Sequence, residues 1–149
     1  MLSTKTRNII YTVIGIVMLS VVVILLSRAP RDDTNSVPML KKVRDNFARM
    51  NPAYTSIPLA EGDSAYTENK NHITLCLRDP KTGSAYDENT IMYVALHELA
   101  HVVTHSQGHG DEFKANFNEI LKRAAEQGIY NPSMEIPSDY CGMENGSSS

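Results

Sequence analysis

Two histidines and a glutamate lie in the segment Leu96–Val103 with the spacing of a metal-binding helix. In a helix, His97 and His101 are four positions apart and therefore lie on one face, one turn from each other. This spacing allows two imidazoles to bind one zinc ion, with Glu98 beside a water molecule at the metal. The metal lowers the pKa of that water towards ~7, and the carboxylate accepts its proton as the water attacks a peptide carbonyl. The motif predicts a zinc-dependent peptidase with Glu98 as general base.

Coincidence is the alternative explanation of the His-Glu-x-x-His motif, which arises by chance in roughly one chain of this length in a few hundred. A chance match has no reason to lie in a helix or to be followed by a third ligand. Both conditions are met here, because apolar residues at helical spacing surround the motif and further histidines follow it. The sequence therefore favours metal binding.

The third metal ligand should come from a residue beyond the motif, because a catalytic zinc needs three protein ligands and one open position. His105 continues the i, i+4 series, but its backbone is ~12 Å along the helix axis from that of His97. Three histidines on one straight helix do not converge on a tetrahedral ion. The glycines on either side of His109 provide permissive backbone for a chain reversal. We therefore predict His109 as the third ligand, with His105 and the downstream acid Glu119 as alternatives.

An apolar segment near the N-terminus, Ile9–Ser27, has no charged residue and reads IIYTVIGIVMLSVVVILLS. At 1.5 Å per residue, such a helix covers nearly all of the ~30 Å hydrocarbon core of a bilayer. A cleaved signal peptide and a buried core helix are the alternatives, but the run is longer than the apolar region of a usual signal peptide. We predict a single membrane-spanning anchor preceded by a basic flank, residues 1–8. Basic residues lie on both sides of the anchor, so the sequence leaves its orientation open.

The remainder of the chain is acidic, with 12 Lys and Arg against 17 Asp and Glu from residue 28 onward. No basic stripe is visible in it, so direct nucleic-acid binding is not predicted. Residues 28–36 are mostly polar and predict a flexible tether, 37–142 one small domain, and 143–149 a disordered tail. Cys76 and Cys141 are too few to indicate a disulfide framework, and their pairing stays open.

Periodicity and turn residues predict the elements of this domain, which mix helices with strands. The predicted elements are a helix over Pro38–Met50 capped by Ser36, an irregular edge strand over Thr55–Leu59, a hairpin of Ser64–Thr67 with His72–Arg78, a helix from about Asp87 to His105, and a helix over Glu112–Gln127 capped by Asp111 and ended by Gly128. Tyr130 and Tyr140 follow, and each is either a candidate to stabilise an oxyanion or a packed surface residue.

Three segments together resemble the WLM and SprT-like zinc metallopeptidases. They are Leu75–Arg78, the His-Glu-Leu-Ala-His motif, and Gly108–Phe113, in which a histidine is followed four positions later by a phenylalanine. The resemblance covers roughly residues 37–130. It implies a minimal zincin-like α+β domain, in which a small antiparallel or mixed sheet packs on the HExxH helix and its flanking helices.

The resemblance also implies a site and an activity. His97, His101 and His109 would bind Zn2+, and Glu98 would be the general base acting on a protein or peptide substrate. The interval from His101 to His109 is longer than is usual in the WLM group. Family members that repair DNA–protein crosslinks are soluble and carry DNA-binding or modifier-binding segments, neither of which this sequence shows.

Two short C-terminal segments, Gly128–Tyr130 and Asp139–Gly142, resemble membrane-anchored WLM-like proteins of large DNA viruses. The alternative function is that of a membrane-bound structural or interaction protein, such as a virion component, with a non-catalytic zinc site. The intact Glu98 favours the enzyme, because a structural zinc site needs no such acid and usually closes its fourth position.

Overall fold

The computed structural model of the protein describes residues 3–27, 32–35, 37–141 and 143–144. Within these residues there are four α-helices, one 3-10 helix and five short strands. The chain divides into two compact units, residues 1–30 and 31–149. The helices and small mixed sheet of the second unit confirm the predicted α+β class.

The first unit consists of α1 (Thr4–Ser27), a helix of 24 residues. Large apolar side chains from Ile9 to Ile24 are exposed along it. The hydroxyl groups of Thr12 and Ser20 donate to backbone carbonyls one turn earlier, which reduces the polarity that α1 presents. The stretch Thr4–Ile24 is long and apolar enough to cross a membrane, a property that signal sequences and core helices share.

The second unit begins with α2 (Pro38–Met50), as predicted. A proline suits the first turn, since the N–H that it lacks would have no helical partner there. Apolar side chains on one face of α2 are buried in the core, namely those of Leu40, Val43, Phe47 and Met50. The predicted capping residue, Ser36, lies outside the described residues. Val37 stands at the N-cap position and makes no side-chain capping bond.

Part of the predicted tether is fixed to the domain. Thr34 is 2% exposed, and the backbone N–H of Asp33 donates to the carbonyl of Leu59 over 2.8 Å. The guanidinium of Arg44 donates to both carboxylate oxygens of Asp32, at 3.0 and 2.9 Å. These contacts stabilise one conformation, so the prediction of a flexible tether is wrong for this described stretch.

A three-stranded sheet carries one side of the core. Its strands are β1 (Leu59–Glu61), β2 (Tyr66–Glu68) and β3 (His72–Leu75). β3 is the central strand, parallel to β1 and antiparallel to β2. The predicted hairpin of β2 with β3 is confirmed, and all four residues of β3 are buried. The hairpin places β2 at an edge of the sheet, where it contacts the helix that carries the histidine motif.

The prediction of an irregular strand over Thr55–Leu59 is wrong. A 3-10 helix, Pro52–Ser56, occupies most of this stretch, and β1 starts only at Leu59. The side chain of Asn51 accepts a hydrogen bond from the N–H of Ala53 over 3.0 Å, which caps the turn. Proline at the start of a helical turn and a capping asparagine before it together stabilise the helix over the strand.

The motif-bearing helix is α3 (Glu88–Val103). The carboxylate of Asp87 caps it by accepting a hydrogen bond from the N–H of Thr90 over 3.0 Å, in agreement with the predicted start. The helix ends two residues before the predicted His105, because Thr104 adopts an extended conformation. This early end allows the chain to turn before the next histidines.

The last helix, α4 (Asp111–Glu126), packs against α3. Gly110 stands at its N-cap position, so the predicted cap, Asp111, lies instead in the first turn. A carboxylate there is still favoured by the partial positive charge of the helix N-terminus. Gly128 follows the helix with a φ of +67°, a left-handed conformation that glycine adopts without steric cost.

A disulfide joins Cys76, directly after β3, to Cys141 near the C-terminus, with the two Cα atoms 6.3 Å apart. The hydroxyl of Tyr140 donates to the carbonyl of Cys76, and Tyr140 is 3% exposed. The N–H of Cys141 donates to the hydroxyl of Tyr86 over 2.7 Å. The C-terminal segment is therefore part of the folded core.

Two very short strands lie next to the disulfide in the C-terminal segment. β4 (Asp139–Tyr140) pairs antiparallel with β5 (Met143–Glu144). The sequence predicts a disordered tail that includes Met143 and Glu144, whereas the structure places these two residues in a strand. The rest of that predicted tail, residues 145–149, lies outside the described residues.

Candidate metal centre

Three histidine side chains converge between α3 and α4. His97 and His101 project from the same face of α3, and His109 comes from the segment that joins the two helices. The Nε2 atom of His109 lies 3.1 Å from that of His97 and 3.1 Å from that of His101. Among the described residues, these three form a group whose ligand atoms all lie within 4.8 Å of one another. The structure thus brings the three predicted ligands together.

The spacing of these nitrogens fits a metal ion. Tetrahedral coordination with metal–nitrogen distances of about 2.0–2.1 Å places imidazole nitrogens about 3.3 Å apart. Each Nε2 carries at most one proton, so three such atoms facing one another cannot all be satisfied by mutual hydrogen bonds. A cation between them would accept all three lone pairs. The donor set and its geometry therefore suit a transition-metal ion with one position open to a further ligand.

The two helix histidines are held in their neutral form. Burial, followed by the charges of His101 and His109, lowers the pKa of His97 to about 4. Burial and the charge of His109 also lower the pKa of His101 to about 4. A neutral imidazole has the lone pair that a metal ion requires, so protons do not compete for these ligands near neutral pH.

Aromatic rings from α4 pack against the imidazoles. The ring of Phe113 lies 5.0, 4.4 and 4.6 Å, between centroids, from those of His97, His101 and His109 respectively. Phe117 lies 5.1 Å from His97 on the same side. In the sequence, the spacing of these two phenylalanines indicates only ordinary core residues on one face of a helix. In the structure Phe113 contacts all three rings and restricts their orientation.

Glu98 lies beside the histidines and is 4% exposed. Thr67, on β2, places its hydroxyl oxygen 2.8 Å from the carboxyl Oε2 of Glu98 and 2.9 Å from the backbone carbonyl of the same residue. Burial raises the pKa of Glu98 to about 7, and the bond to Thr67 opposes this rise. A carboxyl group with this pKa can take up and release a proton near neutral pH, as a general base requires.

The hydroxyl of Thr67 can form a hydrogen bond with the Glu98 carboxyl group in either of its protonation states. When the carboxyl group is ionised, the Thr67 hydroxyl can donate to it. When the carboxyl group is protonated, it can donate to Thr67, whose own proton then points to the backbone carbonyl. Sequence reasoning missed this residue, because it lies 31 positions from Glu98 and carries no motif of its own.

The alternative ligands do not join the site. The side chain of His105 is 97% exposed, and its Nδ1 lies 3.2 Å from Glu112. Glu119 is exposed on α4 and does not belong to the group of three. Where the sequence left these two residues as alternatives to His109, the geometry favours His109.

The two tyrosines proposed as oxyanion donors have different surroundings. The hydroxyl of Tyr140 is buried and donates to the Cys76 carbonyl, so Tyr140 is a packed residue and its proton is not directed at an oxyanion. Tyr130 is half-buried, and its ring lies 5.7 Å from that of Tyr93. Tyr93 in turn lies 5.6 Å from Phe117, so Tyr130 extends the aromatic cluster that begins at the histidines.

The fold is that of a known class of structure. Wss1 from Saccharomyces cerevisiae is similar to this chain with a TM-score of 0.54 and 18% sequence identity, over 68% of this chain and 88% of the other. A mutant of Wss1 from S. pombe is similar with a TM-score of 0.50 and 25% identity, over 64% of this chain and 88% of the other. These similarities show a Wss1-like α+β fold.

Viral proteins are similar in sequence. Uncharacterized protein 136R of Invertebrate iridescent virus 6 is 40% identical over 87 residues, which are 57% of this chain and 49% of that protein. Uncharacterized protein 042R of Invertebrate iridescent virus 3 is 38% identical over 90 residues, 60% of this chain and 57% of that protein. The chain thus spans about half the length of the curated relatives it matches. No protein-family model matches it.

Proposed function

We propose that this chain is a zinc-dependent endopeptidase of the zincin type, attached to a membrane by α1. The observation that carries the proposal is the convergence of His97, His101 and His109 beside the buried carboxyl group of Glu98. Among the described residues, the group has three ligands and no fourth. A structural zinc site typically has four protein ligands and has no use for an adjacent acid, whereas a hydrolytic site uses both features found here.

The residues of the chain have distinct roles in the proposed reaction. Zinc, when bound by three imidazoles, supplies a Lewis acid that lowers the pKa of water at its open position to about 7 and polarises a substrate carbonyl. Glu98 accepts the proton of the attacking water and passes it to the leaving amine. Thr67 keeps the Glu98 carboxyl group in place in both protonation states. Phe113 holds the imidazole rings in their converging orientation.

The fold supports the same function. The Wss1-like fold brings together the segments that resemble WLM and SprT-like zinc metallopeptidases, and the histidines of the motif meet at one point in it. The proposed substrate is a protein or peptide, as that resemblance implies. The excess of acidic over basic residues from residue 28 onward gives no reason to add nucleic acid as a direct partner.

Metal analysis and proteolysis of the full chain, purified in a non-ionic detergent, test the proposal. We expect one zinc per chain and cleavage of a denatured protein or a random peptide library. Glu98→Gln should retain zinc and lower kcat on the order of 10²–10⁴-fold. Glu119→Gln, an exposed acid on α4, is the matched control and should change neither zinc content nor cleavage. Stoichiometric zinc with no cleavage of any library member would favour the structural or interaction protein instead.

The ligand set is tested by a second pair of variants. His109→Ala should lose zinc, because it removes one of three converging nitrogens. His105→Ala should retain zinc, because its exposed side chain does not join the group. The opposite result, zinc loss in His105→Ala alone, would refute the assignment.

Membrane attachment is tested in cells that express the full chain. If α1 is an anchor, the protein should resist extraction by alkaline carbonate, and its N-terminal sequence should still contain residues 9–27. A mature protein that begins after this segment would instead identify it as a signal sequence, because signal sequences can also be long and apolar enough to cross a membrane.

A further inference from the structure

The segment between α3 and α4, which carries His109, is held by two charged side chains from either side. The ammonium group of Lys70 donates to the carbonyl oxygens of Thr104, His105 and Ser106, at 2.7 Å for the first and 2.8 Å for the last. An ammonium group has three protons, so all of them are used on three consecutive carbonyls. These carbonyls follow the C-terminus of α3, where a cation is also favoured by the helix dipole.

Glu112 binds the same segment through its N–H groups. One carboxylate oxygen accepts from the N–H of His105 over 2.9 Å, and the other accepts from the N–H of Ser106 over 2.9 Å. The bond from the His105 N–H, followed by bonds from the side chain and the N–H of Ser106, lowers the pKa of Glu112 to about 2. Because Glu112 itself lies in the first turn of α4, its side chain closes the segment from Ser106 to Glu112 into a ring.

His109 lies midway along this ring, three residues from either end. Gly108, directly before it, has a φ of +74°, which reverses the chain and directs the histidine back towards α3. A loop closed in this way has few conformations to lose when its histidine binds a metal ion. The position of the His109 imidazole is thus connected to the carbonyls and N–H groups that the two charged side chains hold.

The backbone at Lys70 is itself unusual. Asn69 and Lys70 have φ values of 50° and 56°, in the left-handed region that residues with a side chain rarely adopt. The two residues form the centre of the turn between β2 and β3, a conformation that commonly uses Asn and Gly. A lysine at the second position has no advantage for the turn. Its side chain, however, reaches the carbonyls after α3 from this place.

We propose that Lys70 and Glu112 are positioning residues for the third metal ligand, and that together they set the metal affinity of the site. The inference rests on the metal centre of the proposed function, but it does not depend on peptidase activity. It connects the β2–β3 turn to the metal through the ring that carries His109. The hydrogen bonds of Lys70 and the two backbone bonds to Glu112 are made with the segment that carries His109, and the charge of Lys70 also lowers the pKa of His101.

Metal titration of the full chain in detergent tests the inference without any assay of cleavage. Zn2+ affinity is measured by competition with a chromophoric chelator, and coordination by the visible absorption of the Co2+-loaded protein. Lys70→Met and Glu112→Gln should each weaken Zn2+ binding on the order of 10–100-fold, the range found for residues that orient ligands. The Co2+ spectrum of the double variant should approach that of His109→Ala.

Matched variants separate positioning from general structural effects. Lys114→Met and Glu119→Gln remove the same kinds of side chain from exposed positions of α4 and should leave affinity and spectrum unchanged. Lys70→Arg keeps a cation with several donors and should restore most of the affinity. If Lys70→Met does not fold, Glu112→Gln alone decides, because its exposed side chain is dispensable for the core.

Metal binding by the unmodified chain distinguishes failure of the proposed function from failure of this inference. If the unmodified chain binds neither Zn2+ nor Co2+, both the proposed function and this inference are wrong. If the unmodified chain binds the metal and both variants bind it within twofold of that affinity, with an unchanged Co2+ spectrum, only the inference is wrong.

Discussion

Reduction of the Cys76–Cys141 disulfide should strongly destabilise the folded domain. The two residues are 65 positions apart, and closing a loop of this length lowers the entropy of the unfolded chain by an amount worth on the order of 4 kcal/mol at 25 °C. Domains of this size typically have a free energy of unfolding of only about 5–15 kcal/mol. Loss of the bond should therefore remove a large part of the stability.

Pulse proteolysis in urea measures this effect on the full chain, which has no tryptophan to serve as a fluorescent probe. With an m-value of about 1–3 kcal/mol per molar urea, the unfolding midpoint should fall by roughly 1.5–4 M on reduction. A phosphine reductant is preferable to a dithiol, because dithiols also bind zinc. EDTA in all samples removes the stabilisation that a bound metal would add.

The double variant Cys76→Ala/Cys141→Ala is the control for this prediction. Its midpoint should be close to that of the reduced unmodified chain and should not respond to the reductant. Equal midpoints for the oxidised and reduced chains, with alkylation showing that both thiols had been freed, would refute the reasoning. That result would mean that the packing of Tyr140 and the bond from Cys141 to Tyr86 hold the C-terminal segment without the disulfide.

Three further predictions concern the site and the core. Thr67→Val should lower kcat on a peptide substrate roughly 10–100-fold, with KM and zinc content unchanged, because it removes a hydrogen bond to the Glu98 carboxyl group; Thr67→Ser should restore most of the activity. In the metal-free protein, folding lowers the pKa of His97 and His101 from 6.5 to about 4, so between these pH values the unfolded chain binds more protons and the free energy of unfolding should rise with pH. The pKa of Glu98 is raised from 4.5 to about 7, so this one group lowers the free energy of unfolding as pH rises, and the two histidines outweigh it. Urea titrations in EDTA from pH 4 to 6.5 measure whether the free energy of unfolding rises as expected. Phe47→Ala, at a position that is 0% exposed, should cost about 3–5 kcal/mol of stability, measured as a fall in the urea midpoint, whereas Tyr66→Ala, at an exposed position, should cost far less.

The sequence predicts those parts of the site that depend on local geometry. His97, Glu98 and His101 lie in one helix, and the helical period alone places the two imidazoles on one face. His109 is predicted for two reasons. A straight helix cannot supply a third ligand, and the glycines beside His109 allow the chain to reverse direction. Each step depends on only a few neighbouring residues, and the structure groups the three histidines that these steps indicate.

Residues that act through distant parts of the chain were not predictable in this way. Thr67 and Lys70 belong to a hairpin whose sequence indicates only strands and a turn. Thr67 reaches Glu98, and Lys70 reaches the carbonyls after α3, because β2 packs against α3. The parallel pairing of β1 with β3 is likewise non-local, and a proline before β1 argued against a regular strand there. Periodicity identifies which residues are buried, but it does not identify which buried elements meet.

The disulfide bears on a question that the charges of the sequence leave open. Lys5 and Arg7 precede α1 and further basic residues follow it, so the positive-inside rule gives no orientation. Disulfides persist mainly in oxidising compartments, and both cysteines here are almost completely buried in their pair. With α1 as the proposed anchor, we therefore expect residues 31–149 to face the lumen or the cell exterior.

Asn145-Gly146-Ser147 is a glycosylation sequon and reports on this orientation directly. In eukaryotic cells that express the full chain, a mass shift removed by an N-glycosidase and absent in Asn145→Gln would place the domain on the luminal side. Alkylation before reduction should in the same sample leave Cys76 and Cys141 unmodified. Full alkylation of both cysteines, with no glycan, would place the domain in the cytosol and would mean that the pair is reduced there. The proposed peptidase would then meet cytosolic substrates, and the domain would lack the stabilisation of roughly 4 kcal/mol that a disulfide closing this loop contributes.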